Sequence, residues 1–136
     1  MSDTFHTYYH SPVGLLKISG TEKYISEVSF HDTSQKAEGK KKHFPLILIN
    51  CVEQLIQYFN GQRRIFELPL NQPGTVFQQE VWNELVQIPF GKTISYLELA
   101  RRIGDFKATR AVASANGKNN IAIIVPCHRI IGSNKE

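Results

Sequence analysis

The sequence predicts an α+β fold in two lobes. Three observations carry this reading. Short segments of strand character lie in residues 1–71, a turn-forming NQPG occupies 71–74, and helical apolar stripes opened by capping boxes run through residues 72–136. A chain of 136 residues suffices for one ordinary domain or two small ones sharing an interface, and 41% hydrophobic residues supply a packed core.

In the first lobe, 1–71, GLLKIS and YISEVSF have strand character, and Gly20-Thr21 between them suits a hairpin. HDTSQKAEGKKKH then reads as an exposed loop whose Lys40-Lys41-Lys42 run is solvated. From Pro45 to Asn60 the spacing of Leu48, Val52, Leu55 and Phe59 predicts a helix, with Gly61 as its stop. RRIFELPL reads as a further strand.

The second lobe, 72–136, opens with Thr75 and Gln78 spaced as a capping box. Phe77, Val81, Leu85 and Ile88 form the stripe of a helix ended by Pro89, and PFGK makes a turn. Ser95 and Glu98 make a second capping box, opening YLELARRI with Leu97, Ala100 and Ile103 facing inward and Gly104 as the C-terminal stop. ATRAVASAN follows as another helix, closed by Gly117. The pair fits a helix-turn-helix, and equally an ordinary helical hairpin. ATRAVASAN offers mostly Ala, Val and Ser with one early cation, Arg110. That slim surface suits close approach to a minor groove, and also suits packing against a neighbouring helix; composition does not separate the two.

IAIIV at 121–125 is short, apolar and β-branched, which predicts a buried strand ended by Pro126, with Cys127 at its tip beside a pocket. A cysteine reacts as thiolate, and His128 could serve as base directly or through one water. The competing reading is a buried, inert thiol. A zinc site is not expected: only Cys127 and His128 are clustered, and His6 and His10 lie in a context that does not read as helix.

No run approaches membrane-span length, and MSDTFHTYYH lacks a secretory pattern. A structural disulfide between Cys51 and Cys127 is not expected in an intracellular protein. The net charge is +4; residues 1–71 hold 8 Lys+Arg against 7 Asp+Glu, and residues 72–136 hold 8 against 5. A basic second half attracts nucleic acid, although a basic soluble surface explains the charge as well.

VPCHRIIG resembles the active-site motif of the methylated-DNA–protein-cysteine methyltransferases, the O6-alkylguanine-DNA alkyltransferases. The resemblance extends over GTVFQQEVWNELVQIPFGKTISYLELARRIGDFKATRAVASANGKNNIAIIVPCHRIIGS, residues 74–133, while residues 8–70 resemble the family's variable N-terminal lobe only loosely. It implies a ribonuclease-H-like first lobe and a winged helix-turn-helix-like second lobe. It also implies a single-turnover repair protein that binds double-stranded DNA from the minor-groove side, flips out O6-alkylguanine (and O4-alkylthymine), and keeps the alkyl group on its own cysteine. By this resemblance Cys127 is the nucleophile and acceptor, and His128 the base acting through water. Arg110 fills the vacated stack, and Tyr96 contacts the phosphate and the flipped base. Ser95, Ala111 and Ser114 join the DNA surface. Tyr96, Asn116, Asn119, Val125, Pro126 and Ile130 line the pocket, with Asn119 bracing the turn before the cysteine. The carbonyls of Cys127 and Ile130 accept from the guanine amino group. No metal or other cofactor, no membrane and no obligate protein partner is implied. The expected state is a monomer, cytoplasmic in a bacterial-type cell and nuclear in a eukaryotic one.

Two departures accompany the resemblance. Asn119-Asn120 stands where the family has Asn-Pro, which loosens a turn. The chain stops at Glu136, short of the family's Gly- and Tyr-containing loop and of a last helix whose glutamate orients the histidine. From this a slower, less stable protein is expected. The functional alternatives are therefore an active alkyltransferase, a relative that binds alkylated DNA but is impaired in transfer, and a cysteine hydrolase. The last is disfavoured because no separate His with Asn or Asp can be placed.

Overall fold

A computed structural model describes residues 3–31 and 44–131. The chain divides into two compact units, Met1–Gln72 and Pro73–Glu136. The α+β class holds: among the described residues the first unit carries a three-stranded sheet and one α-helix, the second three α-helices and a two-stranded pairing.

In the first unit β1 (Phe5–Ser11), β2 (Gly14–Gly20) and β3 (Ile25–Phe30) pair antiparallel in the order β1-β2-β3. The strand β1 went unread in the sequence, because FHTYYHS mixes aromatic, histidine and hydroxyl residues without an apolar face. Its pairing to the apolar β2 makes it a strand, with Tyr9 opposite Leu16 and Thr7 opposite Ile18. Leu15, Leu16 and Ile18 of β2 and Ile25 and Val28 of β3 are buried. At the hairpin Gly20 has no room for a side chain, since a Cβ would strike the Tyr24 carbonyl. The helix α1 (Leu46–Phe59) begins after Pro45 and buries Leu48, Cys51 and Leu55. Of the expected stripe, Val52 and Phe59 are only half-buried, so the buried line runs one residue to the side, through Cys51.

Residues 63–70 are not a strand; Leu70 makes a single parallel bridge to Ile25. Pro69 has no N–H to give a ladder. One residue pair earlier, the Gln54 amide takes both backbone groups of Glu67, accepting from its N–H (2.9 Å) and donating to its carbonyl (3.1 Å). The Lys40-Lys41-Lys42 run lies outside the described residues, as do Gly132–Glu136.

In the second unit the Thr75–Gln78 box forms in both directions and opens α2 (Val76–Leu85), which buries Val81, Trp82 and Leu85. Ile88 is buried just beyond its end, while Phe77 is half-buried. The helix α3 (Tyr96–Ile103) starts on half a box only: Ser95 Oγ accepts from the Glu98 N–H at 3.0 Å, but the Glu98 carboxylate pairs with Arg102 at 3.5 Å instead. Its buried residues are Leu99 and Ala100; Leu97 and Ile103 are half-buried. Gly104 ends α3 at φ 99°, a left-handed conformation that suits a residue without Cβ. A short 3-10 turn at Phe106–Ala108 leads into α4 (Thr109–Gly117), completing the helix-turn-helix. Trp82 Nε1 donates to the Ala115 carbonyl at 2.9 Å, fastening α2 to α4 through a buried bond.

Residues 122–125 are turns and a bend and Ile121 makes only an isolated bridge, so 121–125 is not a strand, and this corrects the reading of IAIIV. Val125 N–H bonds to the Ile121 carbonyl (3.0 Å), and Ile123 sits at φ 71°, which is strained for a β-branched residue. The apolar run reflects burial of Ile121, Ile123, Ile124 and Val125 rather than membership of a strand. Cys127 opens a 3-10 turn, Cys127–Arg129, which passes into β5 (Ile130–Ile131). This strand pairs parallel with β4 (Ile94–Ser95), Ile130 opposite Ile94.

Candidate functional site

The β4–β5 pairing sets the site. One strand ends where α3 begins at Tyr96, and the other begins where the cysteine turn ends. Tyr96 and Cys127 are thereby held near each other, and α4 supplies the link. Asn116 Nδ2 donates to the Cys127 carbonyl at 3.3 Å and lies 3.5 Å from Tyr96 Oη. Among the described residues its Oδ1 is buried and has no hydrogen-bond partner. Reversing the amide would set Oδ1 against the Cys127 carbonyl oxygen, acceptor to acceptor, so the orientation is fixed by chemistry. An orphaned buried carbonyl of this kind costs about 1–3 kcal/mol.

Asn119 shapes the segment before the cysteine. Its Oδ1 accepts from the Ile121 N–H (3.1 Å), and its Nδ2 donates to the carbonyls of Val125 (2.9 Å) and Ile121 (3.3 Å). One side chain thus closes the turn that a β-ladder would otherwise have to satisfy. Cys127 N–H bonds to the Val125 carbonyl at 2.8 Å. On the far side Arg129 is buried: it donates to the Ile88 carbonyl at 2.7 Å and lies 5.7 Å from the Phe90 ring centroid. Its N–H bonds to the Pro126 carbonyl at 3.0 Å. Sequence reasoning gave Arg129 no part; a cation inside an apolar run was the signal available.

Cys127 is half-buried, and its thiol stands at the start of the tight turn. Cys51 is fully buried, and burial pushes its thiol up to about 12. The two cysteines therefore differ in access. His128 is exposed at the turn. Partial desolvation, and behind it the Arg129 guanidinium, hold its imidazole below the ordinary value of 6.5. Near neutral pH it is uncharged, the form that accepts a proton.

The DNA-facing candidates fall on one side of α4. Arg110, Ala111 and Ser114 are exposed, while Val112 and Ala115 face the core. Arg101, Arg102, Lys107 and Lys118 are exposed on the same helix-turn-helix. Ser95 is spent as the α3 cap, Val125 and Pro126 are buried, and Ile130 is buried in β5. Tyr96, Asn116, Asn119, Val125, Pro126 and Cys127 are thus linked by bonds or by chain adjacency. His6 and His10 lie on β1, in the other unit. Among the described residues no three His, Cys, Asp or Glu side chains gather as metal ligands.

Two family models match the chain. One is described as the 6-O-methylguanine DNA methyltransferase DNA binding domain and covers residues 76–136. The other is the ribonuclease-like domain of the same proteins and covers residues 4–72. The constitutive methylated-DNA–protein-cysteine methyltransferase of Bacillus subtilis is 41% identical over 138 residues, spanning 96% of this chain and 82% of that protein. A protein of the same name from Methanosarcina acetivorans is also 41% identical, over 96% of this chain and 85% of its own. Among solved structures, the O6-methylguanine methyltransferase of Mycobacterium tuberculosis superposes with a TM-score of 0.84 at 38% identity, covering 98% of this chain and 81% of that one. The same organism's OGT in complex with DNA gives 0.83 at 40% identity, covering 96% of this chain and 80% of that one.

Asn119→Ala should destabilise the second unit by about 2–4 kcal/mol, because it strips partners from several backbone groups at once; denaturant titration with the midpoint and slope both followed checks this. His128 should titrate below 6.5 in an NMR pH series. Since folding disfavours the imidazolium, its contribution to stability is complete above the unfolded value and is lost as pH falls through the folded one. His128→Gln should flatten that acid-side slope.

Proposed function

The chain belongs to the 6-O-methylguanine DNA methyltransferase family, and from that premise we propose how its residues divide the reaction. The protein is a methylated-DNA–protein-cysteine methyltransferase: it repairs DNA by moving an alkyl group directly onto itself. Its substrate is double-stranded DNA carrying O6-alkylguanine, with O4-alkylthymine as a second base. The observation that carries the assignment is a half-buried thiol on a braced turn, next to an imidazole that is neutral at physiological pH.

Cys127 is the acceptor. Its thiol proton passes to His128 through a water, and the thiolate attacks the alkyl carbon. A carbon–sulfur bond forms as the carbon–O6 bond breaks, leaving a thioether on the protein and a guanine that takes up a proton. The thioether is not reversed, so each molecule acts once. No electrons change hands between molecules, so the chemistry is complete without a cofactor. The base must leave the stack to reach Sγ. Arg110, exposed at the start of α4, fills the space it leaves. Ser114 and Ala111 keep that face slim enough for the minor groove. Tyr96 meets the phosphate and the flipped base. The Cys127 and Ile130 carbonyls accept from the guanine amino group. Every assigned residue lies in one unit of one chain, which supports action as a monomer without an obligate protein partner.

Mass spectrometry after incubation with a duplex containing O6-methylguanine should find one added methyl group on the Cys127 peptide. Cys127→Ala should abolish transfer while keeping binding to the alkylated duplex, and Cys51→Ala should still transfer. Removal of the methyl group by the Cys127→Ala protein would overturn the assignment. Arg110→Ala should slow repair of duplex DNA by at least about tenfold more than repair of the free alkylated base, because filling the stack offsets an unstacking cost of about a few kcal/mol. Equal loss on both substrates would count against a role in flipping.

A further inference from the structure

We propose that Asn116 is a positioning residue that aims the Cys127 carbonyl at the exocyclic amine of the flipped base, and so sets the preference for alkylated guanine over bases that lack that amine. The proposal rests on the assignment of that carbonyl as an acceptor for the guanine amino group.

A peptide carbonyl has two lone pairs. Asn116 Nδ2 occupies one of them at the Cys127 oxygen, at 3.3 Å. The other is left for a donor. A carbonyl already accepting one bond is held in direction, so its second lone pair is fixed in space for the next donor. The same amide lies 3.5 Å from Tyr96 Oη, so the carbonyl and the ring expected to meet the base are set by one side chain. That side chain belongs to α4, six residues and about 9 Å along the axis from Arg110. The helix that opens the stack thereby also holds the receiving end of the pocket.

Burial alone does not explain the asparagine. Its Oδ1 is buried without a partner among the described residues, so what the asparagine contributes there is its Nδ2, which donates to the Cys127 carbonyl and reaches Tyr96 Oη. Guanine carries the 2-amino group that the free lone pair awaits. An alkylated thymine offers a carbonyl oxygen in the corresponding region, and two acceptors repel.

The test compares methyl transfer from duplexes containing O6-methylguanine with transfer from duplexes containing O6-methylhypoxanthine, which differs only by the missing 2-amino group. Wild-type protein should favour the guanine duplex. Asn116→Ala should lower the second-order rate on O6-methylguanine by about tenfold, with a several-fold smaller loss on O6-methylhypoxanthine. Asn116→Asp keeps the shape and removes the donor, and should show the same selective loss. Melting temperatures of both variants are measured alongside, so that loss of fold, which slows both substrates alike, is told apart from loss of aim. Equal losses on the two substrates, or a wild-type protein that does not distinguish them, would overturn the role of Asn116 while leaving Cys127 as the acceptor. Failure of wild-type protein to gain a methyl group on either duplex would instead overturn the acceptor assignment, and this proposal with it.

Discussion

The proposed role of Cys127 asks for a thiol that stands at a rim on an immobile backbone. The Asn119 amide meets both demands. Three hydrogen bonds from one side chain fold 121–125 into turns, bury its apolar side chains and deliver Cys127 half-exposed at the end. Ile123 is driven to φ 71° in the process. A backbone strain of this kind persists only where the surroundings over-determine the conformation. Here they do: the β4–β5 pairing holds the far end of the turn, and Arg129 ties it to the Ile88 carbonyl.

The helix α4 faces three ways at once. Val112 and Ala115 pack inward, with the Ala115 carbonyl capturing Trp82. Arg110, Ala111 and Ser114 look outward. Asn116 looks toward the cysteine. Nine residues serve all three because most of them are small. A bulkier side chain on any one face would push the helix away from the other two, so the Ala- and Ser-rich composition follows from three surfaces sharing one short rod.

What could be read in advance was what is local. The Thr75–Gln78 box, the Gly104 stop and the two helices between them depend on neighbours a few residues away, and they formed near where the spacing put them, with α2 ending at Leu85 instead of running on through Ile88. The failures share a cause: distant groups decided them. FHTYYHS became a strand only by pairing with β2, and RRIFELPL lost its ladder to Pro69 and to the Gln54 amide. IAIIV was misread because β-branched content reports burial as much as strand, and because the group that folds it is a polar side chain outside the run. Leu99 and Leu97 exchanged roles since a helix of 8 residues has too little length to define its buried stripe by spacing alone. The proposal of Cys127 as acceptor rests on the resemblance carried by VPCHRIIG. The Asn116 bridge was not, because a single asparagine near a helix end carries no pattern.

The buried thiol of Cys51 has a practical consequence. The chain holds two cysteines, one half-exposed and one sealed inside α1 against ionisation. A small thiol-directed reagent applied to the native molecule meets a single group, and meets the second only when the sheet-and-helix unit opens. The stoichiometry of labelling is therefore an internal gauge. The rate at which the count climbs from one toward two reports opening of the first unit, and a starting count below one reports molecules whose exposed thiol is already modified.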